Sequence, residues 1–113
     1  MGFDLSGLNP SKKVGEYFRA NVWYWRPIAW FVLNNVELPS KETEFWGSND
    51  GQKVSEKSSK LIASFISYAI KHKKEYKTEI EKWGVEQQNH PFDWGVIQEF
   101  REFCKYSGGF EIC

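Results

Sequence analysis

The feature that most limits how this chain can fold is one long apolar stripe. Ile62, Phe65, Ala69, His72, Tyr76, Ile80 and Trp83 recur at steps of three and four, the spacing that lines one face of an α-helix. Ser55 stands where an N-cap belongs, since a serine hydroxyl satisfies a free N–H of the first turn. Gly84 stands where the helix would stop, with Val85 placed to touch Ile80 as in a Schellman cap. A helix from Ser55 to Trp83 would be about 43 Å long at 1.5 Å per residue. A globule of 113 residues is only about 34 Å across. The helix therefore projects from the domain or breaks near Lys71, Lys73 and Lys74.

The remaining elements are shorter. At this length one globular domain over residues 1–113 is expected. In "MGFDLSGLNP", Phe3 and Leu5 alternate around Asp4 before Gly7 and Asn9-Pro10, which reads as a strand entering a turn. Arg26 precedes a proline and is expected to be extended, with Pro27 opening a helix that runs to Asn35. Pro39, Ser40 and the polar run after them read as a loop, and "GSNDGQKVS" is dense in turn formers, with Asp50-Gly51 its sharpest turn. Asp93 caps a last helix whose buried face is Ile97, Phe100, Phe103 and Cys104, and Gly108-Gly109 stops it. "FEIC" then alternates like a strand. Two short strands at opposite ends of the chain are each too short to stand alone, so they are expected to pair. The fold class is α+β: a mainly helical single domain with three main helices and a small sheet joining the N- and C-terminal strands. Trp30, Phe31, Phe65, Ile97 and Phe100 are the expected core.

Charge and cysteine content narrow the function classes. Fifteen basic and fifteen acidic residues cancel, so the chain as a whole presents no field that would draw nucleic acid or imitate it. The longest apolar-rich run, Pro27 to Val36, is far short of the ~20 residues of a membrane span. Cys104 and Cys113 are expected to be reduced thiols in a cytoplasmic protein, because no signal peptide opens the sequence. Two histidines, His72 in the long stripe and His90 in a His-Pro loop, have no partner at a metal-binding spacing. No metal and no cofactor is expected. His72 reads as a hydrogen-bonded core histidine, and Cys104 as a buried, inert thiol.

Four ordered motifs carry a resemblance. "MGFDLSGLNP", "GEYFRANVWYWRP", "NDG" and "FREFCKYSGGFEIC" together resemble a family of small proteins encoded by phages, prophages and their bacterial hosts. Its members share an M-G-x-D-L start, Y-F-R-x-N-x-W-x-W-R-P, an N-D-G turn and an S-G-G-F-x-I-C end. The family has no assigned activity, so the resemblance implies a host-cytoplasm, phage-type setting and carries over no catalytic role. Small phage proteins of this kind often counter host defence.

Two constellations could bind a ligand. Arg19 and Arg26 are two of three arginines and flank Asn21, Trp23 and Trp25. A guanidinium pairs with phosphate or carboxylate and stacks on rings, and an asparagine amide reads a base edge. These are the ingredients of a nucleotide-type pocket. The plainer alternative pairs both arginines with internal carboxylates such as Asp4 or Glu16 and places the tryptophans in the core. Asn49, Asp50 and Gly51 form the second constellation, a glycine turn before a helix N-terminus that favours anions, or else an ordinary turn. Ser107-Gly108-Gly109 is explained by helix ending alone, and the lysines near position 73 by a solvated helix face. The reading is a non-catalytic binding protein, an anti-defence protein sequestering a nucleotide-like signalling molecule. The alternative is a direct inhibitor of a host defence protein. A small hydrolase built from some of the twelve glutamates is a third class.

Overall fold

The computed structural model describes residues 2–48 and 50–113. Four strands and four helices follow one another as β1 (Gly2–Gly7), β2 (Tyr17–Asn21), α1 (Val22–Asn35), β3 (Gln52–Val54), α2 (Glu56–Lys71), α3 (Lys73–Glu86), α4 (Trp94–Tyr106) and β4 (Phe110–Ile112). The α+β reading holds. The strands form one antiparallel sheet in the order β2-β1-β4-β3. Leu5 pairs with Ile112 and Gly7 with Phe110, so the two expected strands do meet, and they occupy the centre of the sheet. Phe3, Leu5, Phe18, Ala20, Val54, Phe110 and Ile112 are buried, while their neighbours Asp4, Ser6, Arg19, Lys53 and Glu111 alternate to the more open face. One face is thus core and the other polar, as a half-buried antiparallel sheet requires.

The long stripe breaks, and four helices result in place of three. His72 leaves helical geometry at φ −128°, ψ 43°, ending α2 and opening α3. The whole molecule then measures 36 × 30 × 26 Å, a size a continuous 43 Å rod would overrun. His72 is exposed, not a core histidine: its ring stacks on Tyr68 at 4.1 Å and its Nδ1 lies 2.8 Å from the Tyr68 carbonyl. Gly84 does not end α3, which runs on to Glu86, and Val85 is 74 % exposed and makes no Schellman contact.

Helix α1 also starts earlier than Pro27. The Asn21 side chain accepts from the Trp23 and Tyr24 N–H groups at 3.1 and 3.3 Å and caps the helix six residues before Pro27. Arg26 is therefore helical, and Pro27 sits beyond the first turn, where it forfeits the bond to the Trp23 carbonyl. Burial of Trp25, Pro27, Ile28, Phe31 and Val32 along one side of α1 offsets that loss.

Helices α2 and α4 pack on each other, and Ile62 and Ile66 on α2 and Ile97 and Cys104 on α4 are buried. Their ends are fastened by Ser59 Oγ, which donates to the Cys104 carbonyl at 2.6 Å and lies 3.0 Å from Ser107 Oγ. Burial pushes the Cys104 thiol well above its ordinary pKa, with the Ser59 hydroxyl opposing weakly. Phe31, Ile97 and Phe100 are core as expected, whereas Trp30 and Phe65 pack against the core only partly buried. Gly108 and Gly109 have φ of +69° and +94°, and a Cβ at Gly108 would meet the Asn9 carbonyl at 2.3 Å. Their role is to bring chain against chain. No helix among the described residues is long and apolar enough to cross a membrane.

Candidate functional site

The aromatic run divides as soon as α1 is built. Successive helical residues point about 100° apart, so Trp23, Trp25 and Arg26 face three directions. Trp25 turns inward and is 1 % exposed. Phe3 stacks on it at 5.6 Å and Trp46 at 5.6 Å, and its indole N–H donates to the Trp46 carbonyl at 2.6 Å. With rings stacked on it and its N–H satisfied, Trp25 is structural and offers a ligand almost no surface. Trp23 turns outward, 48 % exposed, and stacks on the His90 ring at 5.1 Å.

Arg26 lies between them. It borders a cavity of about 410 Å³ whose other walls are Phe3, Val22, Trp25, Ala29, Gly47 and Trp83. Arg26 makes no hydrogen bond or ion pair with the described residues. Trp83 carries Trp30 on one face at 4.7 Å, and no other ring among the described residues stacks on it. Its indole N–H donates to the His90 carbonyl at 2.7 Å, which fixes the ring's tilt. The Nδ1 of His90 is buried without a partner among the described residues. A free guanidinium and a fixed, half-open indole on one cavity wall are what an aromatic anion uses, one for charge and one for stacking. At about 410 Å³ the space falls in the range of small-molecule sites.

Arg19 is elsewhere. On β2 it alternates to the polar face, where its Nη1 donates to Asp4 Oδ1 at 3.0 Å. Tyr17 donates its hydroxyl to the same carboxylate oxygen. The Tyr17 bond, helped by Arg19, holds the Asp4 carboxyl below its ordinary pKa. The same contact with Asp4 raises that of Tyr17. This is the internal pairing that the sequence left open for Arg19, and it removes Arg19 from the cavity. Asn21 has spent its carbonyl oxygen on the helix cap.

The second constellation is a turn. Gly51 takes φ +92° and donates its N–H to the Ile112 carbonyl at 2.9 Å. Ser48 donates to Asp50 at 2.8 Å, and Asn49 lies outside the described residues. The helix N-terminus beyond it already holds an anion: Glu42 Oε1 accepts from the Ser55 N–H at 2.7 Å. Burial works against the ionised Glu42, yet the Ser55 N–H and nearby serine hydroxyls outweigh it and leave the carboxyl below its ordinary value.

Trp46, Gly47 and Trp83 were missed as neighbours of the site. Trp83 lies on the apolar stripe, whose spacing says nothing of a cavity. Trp46 is 1 % exposed within a loop, anchored by its indole N–H to the Glu42 carbonyl at 2.7 Å and by the Gln52 side chain, which accepts from Phe45 N–H and donates to the Lys41 carbonyl. The apolar pair Phe45-Trp46 amid polar residues was the available sign. Compared with known proteins, the chain matches no family model, no curated protein and no solved structure.

Proposed function

We propose that the chain is a non-catalytic binding protein that holds a flat, anionic small molecule of nucleotide type against Trp83 and Arg26. In the phage or prophage setting the resemblance suggests, such a protein sequesters a signalling nucleotide that a host defence depends on. The observation that carries this reading is the arginine without a partner among the described residues, on a cavity wall shared with a half-open indole. Every other arginine is engaged: Arg19 with Asp4, and Arg101 with Glu102 and Ser67. Holding a ring and an anion requires no proton transfer.

Calorimetric titration with adenine, cyclic and ADP-ribose-type nucleotides tests it. Arg26→Lys removes the planar fork and should weaken binding about 10- to 150-fold, while Arg19→Lys should leave it unchanged. Heat from none of these nucleotides, or binding indifferent to Arg26→Lys, overturns the reading. A second reading, direct inhibition of a host defence protein, is favoured by Trp23 and Phe45, which expose 48 % and 54 % of their surfaces. Exposed aromatic anchors of this kind dominate many protein interfaces.

A further inference from the structure

A second cavity, of about 430 Å³, lies between α2 and α4 and shares no wall with the first. Lys60, Ser64 and Ser67 reach it from one face of α2, Arg101 and Lys105 from one face of α4, and Ser11 from the loop after β1. Three cations and three hydroxyls therefore converge, together with the Tyr106 ring, and none of the described residues on the wall is a carboxylate. In a chain whose charges cancel, that local composition is uneven.

The arrangement is also fixed. Arg101 is held from behind: its Nε donates to Ser67 Oγ at 2.6 Å, and the Ser67 hydroxyl donates in turn to the Ala63 carbonyl at 2.9 Å. Glu102 takes Nη1 of the same guanidinium. Lys60 has Glu56 at 2.9 Å. Lys105 and Lys12 have no carboxylate partner among the described residues; both ammonium groups lie over the Tyr106 ring, 5.3 and 4.4 Å from its centre. Arg101 and Lys105 are four residues apart on one helix, a spacing at which like charges repel. Folding gains little by gathering these groups, whereas a bound oxyanion would meet the remaining Nη2 of the held guanidinium, the Lys105 ammonium and the hydroxyls of Ser11 and Ser64 at once.

We propose that this groove between α2 and α4 is a binding site for a small phosphate-bearing anion. It is independent of the Trp83–Arg26 reading, and the inorganic and organic sources of the phosphate are told apart by experiment. The test follows backbone amide resonances of the intact ¹⁵N-labelled protein during titration with inorganic pyrophosphate and, separately, ribose 5-phosphate. Resonances of Ser64, Ser67, Arg101, Lys105 and Tyr106 should move and saturate. Lys105→Gln, at an exposed position, should weaken that response at least about tenfold, and Arg26→Lys should not alter it. Binding of ribose 5-phosphate at least as tight as that of pyrophosphate assigns the site to organic phosphates; a response to pyrophosphate alone assigns it to inorganic ones. No saturable shift, shifts centred on Arg26, or a Lys105→Gln protein that binds like wild type would overturn the proposal.

Discussion

Helices α2 and α3 come from one continuous stripe, yet they hold to the domain in different ways. Helix α2 buries Ser58, Ser59, Ile62, Ala63, Ile66 and Ala69, whereas α3 buries nothing fully. Ser55 and Glu42 cap α2 at its N-terminus, while α3 begins without a side-chain cap. What attaches α3 is a set of half-buried contacts: Tyr76 edge-on to Phe31 and Phe65, and Trp83 flat on Trp30. A helix so held is expected to open at lower free energy than the core around it. Trp83, one of the two groups that would hold the proposed ligand, thus stands on the looser helix, and Arg26 on the firmer α1. Residues that meet a ligand often sit on such boundaries, where ordering can follow binding.

The contrast can be broken at several points. The harshest change is deletion of Phe110 to Cys113. It removes β4 from between β1 and β3, and we expect the whole domain to lose its cooperative melt. A truncated chain that melts like the intact one would show that the sheet contributes little. Next is Phe100→Ala: the ring is fully buried and touches Phe18, Trp25, Phe103 and Phe110, so chemical denaturation should record a loss of about 3–5 kcal/mol.

A matched pair sharpens the comparison directly. Ile62→Ala in α2 should cost about 2–5 kcal/mol, as for a fully buried residue, and Ile80→Ala in α3 about 1 kcal/mol, because Ile80 is only partly buried. Equal losses would mean that α3 is core after all. Hydrogen exchange offers the same test without mutation, with α3 amides expected to exchange ahead of those of α2.

The smallest effect concerns the α2 cap. Folding depresses the Glu42 carboxyl below its ordinary value of 4.5, so its contribution is complete above that value. The contribution is lost as pH falls through the lower, folded value. Glu42→Gln should cost under ~1 kcal/mol at neutral pH. It should also flatten the decline in stability between about pH 5 and pH 3. A decline as steep as that of wild type would remove Glu42 from the cap.

Elements with a full apolar face were legible in the sequence. The cap at Asp93, the face of α4 and the alternation of Phe3 and Leu5 or Phe110 and Ile112 each state a local rule that the fold obeys. The break at His72 was legible only as a conflict of lengths, since no proline or glycine marks it. The start of α1 was misread because two local rules disagreed there: Pro27 pointed to a first turn, and Asn21 turned out to be the actual cap. Local rules cannot weigh the burial of Trp25 and Ile28 against one missing hydrogen bond. The candidate site was legible in its ingredients and not in their grouping. Arg19 and Arg26 look alike in sequence, but strand alternation sends one to the polar face beside Asp4 and the helix turns the other toward Trp83. That second residue comes from far along the chain, and no spacing rule links positions 26 and 83.

The pairing of β1 with β4 has a kinetic meaning. Leu5 waits for Ile112, so any early pairing of β1 with β2 leaves the other edge of β1 open until nearly the end of the described chain. Loop closure over such a separation makes central strand pairing late and slow compared with helix formation. Until β4 arrives, the β1 edge is a template for any other extended segment. The polar alternation of Asp4 and Ser6, and the brevity of β3 and β4, keep that interval from favouring aggregation. Refolding is expected to show helical signals first and protection of the Asp4 amide, which donates to the Cys113 carbonyl at 2.9 Å, last.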